Sequence, residues 1–197
     1  MRGSKAKTVM PDENIQMFGV LGGGEGSPEQ KQALDYLFSV TYEELRRLAS
    51  SVKRGDPSAT LNPTALVNEA WLKLAGSPRL AATSPLHFKR IAARAMRQVL
   101  VEAARRRSAD KRGGPGASFV TFDEAQTTVA GEQELLGLNS ALDELARIQP
   151  RQAMMVECRF FGGLDIAEIS QLLDVSEATT LRDWRAAKAW LGQTLRT

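Results

Sequence analysis

One stretch, residues 84–112, concentrates positive charge on a segment whose apolar residues repeat with the period of a helix. Ser84 and Pro85 predict the start of that helix, because a hydroxyl caps the first turn and proline loses no hydrogen bond there. Between positions 88 and 103, apolar residues recur at steps of three and four. The opposite side is basic and is interrupted only by Val101. Its cations are Arg90, Arg94, Arg97 and Arg105.

The charge of this helix exceeds that of the whole chain. Residues 89–112 hold nine basic and two acidic residues, a net charge of +7, whereas the chain carries +3, so the remainder sums to −4. A patch of one sign repels itself and favours a polyanionic partner. A solvated surface and an anionic membrane are the alternatives. The apolar side has one Phe and no Trp, which suits packing on helices better than lying in lipid, and nucleic acid is the partner we expect.

Several function classes are excluded by composition. The chain has one histidine and one cysteine, too few for a His/Cys metal site or an internal disulfide. No phosphate-binding loop motif follows a strand pattern. No apolar run reaches eighteen residues, and no secretion signal opens the chain. We therefore expect a cytoplasmic, nucleoid-associated protein that is not an enzyme, needs no cofactor or metal and does not enter membranes.

The helical patterns fall into two groups. Residues 14–112 contain a helix from 28 to 54 and a second that restarts at Asn62 and Pro63, and they predict a helical bundle. Residues 113–134 begin with glycines and a proline and are acidic, which is typical of a flexible linker. Residues 135–197 are again helical. The predicted fold is all-α, with two small domains joined by that linker.

The second group ends in a helix-turn-helix pattern. Asp165 caps one short helix, Asp174 lies in a tight turn, and Ser176 caps the last helix. In that last helix the apolar stripe leaves the N-terminal polar residues facing outward, where a recognition helix meets base edges. They are Thr179, Arg182 and Arg185. Arginine suits this position because its fork matches the two major-groove acceptors of guanine.

Taken together, these segments resemble the extracytoplasmic-function group of bacterial RNA polymerase sigma factors. Over residues 28–112 and 135–195 the order of segments is the family's own. TALVNEAWLKL is similar to the segment that binds the polymerase clamp, and RAMRQVLVEAARRR to the segment that melts and reads the −10 element. DIAEISQLLDVSEATTLRDWRAAKAWL resembles the helix-turn-helix that reads the −35 element.

The resemblance implies a transcription initiation factor that binds core RNA polymerase and promoter DNA. The polymerase-binding residues it implies are Leu66, Asn68, Glu69 and Leu72. Those implied for the −10 element are Arg90, Arg94, Arg97, Gln98, Arg105 and Arg106. Those implied for the −35 element are Ser176, Thr179, Arg182 and Arg185. An anti-sigma regulator commonly restrains members of this group. We expect no cofactor.

The sequence departs from the family pattern at a few positions. Gln98 and Glu102 stand where Asn and Asp are usual, and Asp174 replaces the usual turn glycine. Thr180 replaces a usual Val, and Leu181 replaces a usual cation, which removes a phosphate contact. Two rival functions remain open at this point. One is a stand-alone helix-turn-helix regulator that acts without polymerase, and the other is a membrane- or RNA-binding adaptor that uses only the basic helix.

Overall fold

The computed structural model describes residues 27–53, 62–75, 77, 80, 82–110, 120–122, 127–129 and 132–196. The predicted apolar stretch at 14–21, and with it the start of the first domain, lies outside these residues. The described part is helical except for one short hairpin. Its helices are α1 (Pro28–Lys53), α2 (Pro63–Ala75), α3 (Pro85–Asp110), α4 (Glu132–Ile148), α5 (Pro150–Gly162), α6 (Ile166–Leu173) and α7 (Glu177–Thr194).

The first three helices begin as the sequence predicts. A polar cap precedes a proline at each start, and the cap side chain accepts a hydrogen bond from the first turn. Asn62 Oδ1 accepts from the Ala65 N–H at 2.7 Å, and Ser84 Oγ accepts from the His87 N–H at 3.2 Å. These bonds satisfy backbone donors that have no partner within the helix.

Large apolar side chains join α1, α2 and one face of α3 into the N-terminal cluster. Phe88, Met96 and Val99 of α3 are fully buried there. At its edge the Phe38 and Trp71 rings are stacked with centroids 4.4 Å apart. Closely packed interiors tolerate little loss of side-chain volume. This face of α3 is therefore part of the hydrophobic core.

Helices α4–α7 surround a second core, the C-terminal cluster. Its fully buried members include Leu138, Leu142, Phe161, Ile169 and Leu191. Cys158 is buried here too, and burial raises the pKa of its thiol to about 12. Helix α3 contributes buried residues to both clusters.

The basic side of α3 is not an open surface, in contrast to what its sequence suggests. Helices α4 and α5 pack along it. Ala93 and Ala104 belong to the C-terminal cluster, and Val101, the residue that interrupts the basic side, is also buried. These small residues form a second, narrower apolar stripe, so α3 lies between the two clusters.

The predicted linker contains a hairpin. Val120–Phe122 (β1) and Thr127–Val129 (β2) pair antiparallel, with Val120 opposite Val129. Strand β2 lies beside α1. Helix α4 begins at Glu132, two residues before the predicted end of the linker at 134. Two short strands and the first residues of α4 therefore fall within the range that the sequence predicts as linker.

Candidate nucleic-acid interface

The residues implied for the −10 element line α3, but only the last turn of the helix presents them openly. Arg105 and Arg106 are exposed, whereas Arg90, Arg94, Arg97 and Gln98 are half-buried. A groove of about 340 Å³ separates this side of α3 from α4 and α5. Its walls are Arg94, Arg97, Gln98, Val101, Glu102 and Arg105 from α3, and Asn139, Asp143 and Glu157 from the other two helices.

Arg97 is bound by the three residues of the opposite wall, Asn139, Asp143 and Glu157, which we call the acidic patch. Its Nη1 donates to Glu157 Oε2 at 2.8 Å, and its Nη2 to Asp143 Oδ1 at 2.6 Å. Nη2 also donates to the Asn139 carbonyl oxygen at 3.0 Å, and Nε to Asn139 Oδ1 at 3.1 Å. Only 12% of the Arg97 side chain is exposed, so in this conformation its fork is occupied by the protein's own acceptors.

Lys89 makes a second polar contact about two turns earlier in α3. Its ammonium pairs with Glu44 of α1 and with Glu168 of α6, the latter at 2.8 Å. Burial alone lowers the pKa of Lys89, but the hydrogen bonds to Glu168 and Glu44 outweigh it, and the pKa lies above its ordinary value. Lys89 therefore stays charged and ties both clusters to α3.

His87 lies beside this contact at the start of α3. Burial, followed by the positive charge of Arg90, lowers its pKa below the ordinary value. The imidazole is therefore neutral near pH 7. Its backbone N–H donates to the Ser84 side chain that caps α3.

The helix-turn-helix has the geometry that its sequence predicts. The Asp165 side chain accepts from the Glu168 N–H at 2.8 Å while Glu168 Oε2 accepts from the Asp165 N–H at 2.9 Å, a complete capping box. Asp174 adopts φ 53° and ψ 46°, the left-handed conformation that Asp tolerates better than most residues. Ser176 Oγ accepts from the Thr179 N–H at 3.2 Å and caps α7.

Helix α7 presents its predicted reading residues on an open face. Arg182 and Arg185 are exposed, while Thr179 is half-buried and shares a 3.0 Å hydrogen bond with the Ser176 hydroxyl. Ser176 is thus engaged in capping, and Thr179 is partly engaged with it. The two arginines are the side chains best placed to reach a groove of DNA.

Two buried polar residues fix the orientation of α7, and sequence reasoning did not foresee either contact. Thr180, the residue that departs from the usual Val, shares a 2.8 Å hydrogen bond with Ser170 of α6. The buried Asp183 carboxylate accepts from Nε and Nη2 of Arg151, at 2.8 and 2.6 Å. The buried Thr180 and Asp183 alternate along the helix with the exposed Arg182 and Arg185. This alternation is the sequence signal that one side of α7 packs against the protein.

The residues implied for polymerase binding divide between the surface and the core of α2. Leu72 is 73% exposed. Asn68 is exposed and Glu69 is half-buried. Leu66 is only 2% exposed and belongs to the N-terminal cluster, so in this conformation it supports α2 from beneath.

The acidic patch is a feature that the sequence did not indicate. Asn139, Asp143 and Glu157 lie in the predicted second domain, and no sequence motif includes them. The available signal was the balance of charge, because a helix of +7 in a chain of +3 requires acidic residues elsewhere. Charge balance does not say which acids face which cations.

The described residues hold no group of three or more His, Cys, Asp or Glu side chains suited to a metal ion. None of the helices in the described part has the length and apolar character needed to span a bilayer.

Comparison with known proteins identifies the family. No curated protein and no solved structure is significantly similar to the chain. A family model described as ECF sigma factor matches residues 27–197, which is nearly the whole chain and includes every site described above. The chain therefore belongs to the ECF sigma factor family, whose members are not enzymes but bind core RNA polymerase and promoter DNA and start transcription at specific promoters.

Proposed function

We propose that three surfaces of the chain divide the work of promoter-specific initiation. The outer side of α2, with Asn68, Glu69 and Leu72, binds the clamp of core polymerase. The basic side of α3 binds the −10 element, and the exposed face of α7 reads the −35 element. Polymerase holds the two DNA-binding surfaces at the spacing of the promoter, so each on its own need bind DNA only weakly.

The observation that carries this proposal is the exposure pattern of α7. Arg182 and Arg185 face outward near the N-terminal half of the helix, whereas Asp183, Trp184 and Ala187 are buried beneath them. An outward arginine on a capped recognition helix matches the two acceptors that guanine presents in the major groove. Leu181, which is 37% exposed beside them, supplies no charge for a phosphate.

The polymerase surface is supported by the exposure of Leu72. A lone large apolar side chain at the surface is common, but Leu72 lies beside Asn68 on the outer side of α2. Contact with a partner would remove its apolar surface from water. Leu66 acts from beneath by holding α2 against the N-terminal cluster.

For the −10 element we propose the charged and amide groups of α3. Arg105 and Arg106 contact phosphates of the DNA. Arg94, Arg97 and Gln98 lie further along the path that the DNA strand follows over α3. Residues 14–112 and 135–197 act as two domains, with 113–134 between them. The protein works in the cytoplasm with the nucleoid, and an anti-sigma regulator is a further partner that its family membership favours.

The test is transcription from a randomised promoter library by core polymerase with the purified protein added. We expect transcripts from templates that share a −10 and a −35 sequence. Arg182→Ala should relax the preference at one −35 position by about 1–3 kcal/mol, because one base contact is lost. Arg196→Ala removes the same charge at the far end of α7 and serves as the matched control.

Two outcomes would contradict the proposal. Wild-type protein that starts no transcript from any template would exclude the whole assignment. An unchanged −35 preference in Arg182→Ala, with normal transcript yield, would exclude α7 as the reading helix while leaving the polymerase contact intact.

A further inference from the structure

We propose that Leu181 reads a thymine of the −35 element by packing on the C5-methyl group that thymine presents in the major groove. The thymine lies within about two base pairs of a guanine that Arg182 or Arg185 binds. The inference rests on the proposed assignment of α7 as the helix that reads the −35 element. It adds an apolar contact, and with it a second kind of base, to the polar contacts of the arginines.

Leu181 shares one face of α7 with the two arginines. Four exposed residues of this helix stand at steps of three and four and therefore lie on one side of it. They are Ala178, Leu181, Arg182 and Arg185. Apolar and basic side chains thus lie side by side on the surface that faces DNA, with both apolar residues toward its N-terminal end.

The exposure of Leu181 is not explained by the packing of α7. In the described part of the chain, the partly buried apolar residues that pack against the C-terminal cluster include Trp190 and Leu195 but not Leu181. A single exposed leucine is common on protein surfaces and by itself indicates nothing. This one is informative because it adjoins Arg182 on the face proposed to read bases.

Polar contacts on the buried side of α7 hold Leu181 in this outward direction. Thr180 shares its 2.8 Å hydrogen bond with Ser170 of α6, and Asp183 is paired with Arg151 of α5. A rotation of α7 that buried Leu181 would break both contacts. The leucine is therefore presented to DNA in advance, and it loses less conformational entropy on binding than a long charged side chain loses.

Thymine is the base that matches an apolar side chain in the major groove. It presents a methyl group there, whereas cytosine presents an amino group at the corresponding edge. The cation that is usual at position 181 binds a phosphate, which carries no sequence information. With leucine at this position, a contact that only positions the helix gives way to one that distinguishes bases.

The spacing of the side chains limits where the thymine can lie. Residues 181 and 185 are separated by about 6 Å along the helix axis, and successive base pairs by about 3.4 Å. A helix in the groove therefore presents Leu181 and Arg185 to bases about two steps apart. Arg182 is adjacent to Leu181 in the chain and reaches a base at or beside the thymine.

The first experiment removes the methyl group from the DNA. A promoter selected from the randomised library is synthesised with each thymine of its −35 element replaced in turn by deoxyuridine, which keeps the base pair and lacks only the methyl. Binding of the labelled duplex to core polymerase carrying the full chain is measured at equilibrium. We expect replacement at one position near the guanine to weaken binding by about fourfold, as for one methyl-sized group left in water.

The second experiment removes the leucine. Leu181→Ala should weaken binding to the thymine duplex by a similar factor and should bind the thymine and deoxyuridine duplexes equally. Alanine keeps the helix propensity of the position, and circular dichroism checks the fold. Ile148→Ala is the matched control, because Ile148 is a large apolar residue, 52% exposed, at the end of α4 and outside the reading face. It should respond to deoxyuridine as wild type does.

A further variant restores the cation that is usual at this position. Leu181→Lys should also bind the thymine and deoxyuridine duplexes equally, because it has no apolar group to place on the methyl. It should steepen the dependence of log affinity on log salt concentration by about one, since one more phosphate contact releases about one more counterion. This variant keeps the proposal testable if Leu181→Ala does not fold.

The outcomes separate this inference from the proposed function. The inference is wrong if no deoxyuridine replacement weakens binding of the wild type, or if wild type and Leu181→Ala respond to it equally. An equal loss for Leu181→Ala on every duplex, with weaker binding to core polymerase, would assign Leu181 to a protein contact and also overturn it. In each case the proposed function stands if Arg182→Ala still relaxes the −35 preference. If Arg182→Ala leaves that preference unchanged as well, α7 is not the reading helix and both fail.

Discussion

Helix α3 has two buried sides, and they are made of different material. Toward α1 and α2 it presents Phe88, Met96 and Val99, all of them large and fully buried. Toward the C-terminal cluster it presents the buried Ala93 and Ala104 and the partly buried Leu86. The ion-paired side chains of Arg97 and Lys89 lie beside them. The first side forms a core. The second side forms a contact between two cores, which is more polar and less dependent on volume.

The difference has an energetic meaning. Burying a Phe or Met side chain stabilises by about 1.5–3 kcal/mol, whereas the alanines of the second side offer little area. Ion pairs with partly exposed partners add about 0–1 kcal/mol each, and even buried pairs return little beyond their desolvation cost. Glu44 and Asp143 are more than half exposed in their pairs. The second side is therefore the weaker of the two.

The largest expected effect tests the first side of α3. Phe88→Ala should lower the free energy of unfolding by about 3–5 kcal/mol, because it leaves a cavity in a fully packed site. Leu86→Ala is the matched variant on the same helix, since Leu86 is only partly buried and packs against the C-terminal cluster. It should cost less. Guanidinium denaturation measures both, and equal losses would mean that the two sides are equivalent cores.

An intermediate effect tests the closeness of α3 and α5. Gly162→Ala should lower the free energy of unfolding by about 1–3 kcal/mol, because its Cβ would overlap the Ala93 Cβ and the Leu164 Cδ1, each at 2.9 Å. Gly192→Ala is the control within α7, where a Cβ meets nothing within 4 Å. It should stabilise by about 0.5–1 kcal/mol through helix propensity. Thermal denaturation distinguishes them, and a neutral Gly162→Ala would show that the contact is looser than described.

The smallest effect concerns the ion pairs. Lys89→Met should change the free energy of unfolding by about 1 kcal/mol or less, because Glu44 and Glu168 regain water. It should also lower the energy transfer between two dyes, one attached through Asp35→Cys on α1 and the other through Ala189→Cys on α7. Lys73→Met is the matched control, because the pair of Lys73 with Glu102, at 2.9 Å, joins α2 to α3 and not one cluster to the other. The energy transfer between the dyes should not change in Lys73→Met. Equal energy transfer in the two variants would show that Lys89 does not help to hold the two clusters together.

Much of the local structure was predictable because its causes are local. Asn62 and Ser84, each followed by a proline, begin helices, the Asp165 capping box forms, and Asp174 occupies the left-handed turn. These features depend on residues within four positions of one another, so their spacing in the sequence is enough. The outward direction of Arg182 and Arg185 follows in the same way from the period of the helix.

The covering of α3 was not predictable by the same reasoning. Periodicity gave it one apolar side, and alanines scattered among arginines did not look like a second one. Val101 was the single warning, and it is buried. Small residues such as Ala93 pack only when the backbone of another helix comes close. The close approach of α5 depends on Gly162, which is separated from Ala93 by nearly seventy positions in the sequence.

By itself the sequence determined that the chain is helical, where most helices begin, which arginines of α7 face outward and which family the chain belongs to. Those properties follow from caps, periods and motifs, whose physical range is a few residues. Only the tertiary structure decided that Asn139, Asp143 and Glu157 meet Arg97. Opposite charges attract at short distance, and only the packing of α3 on α4 and α5 brings these particular ones together.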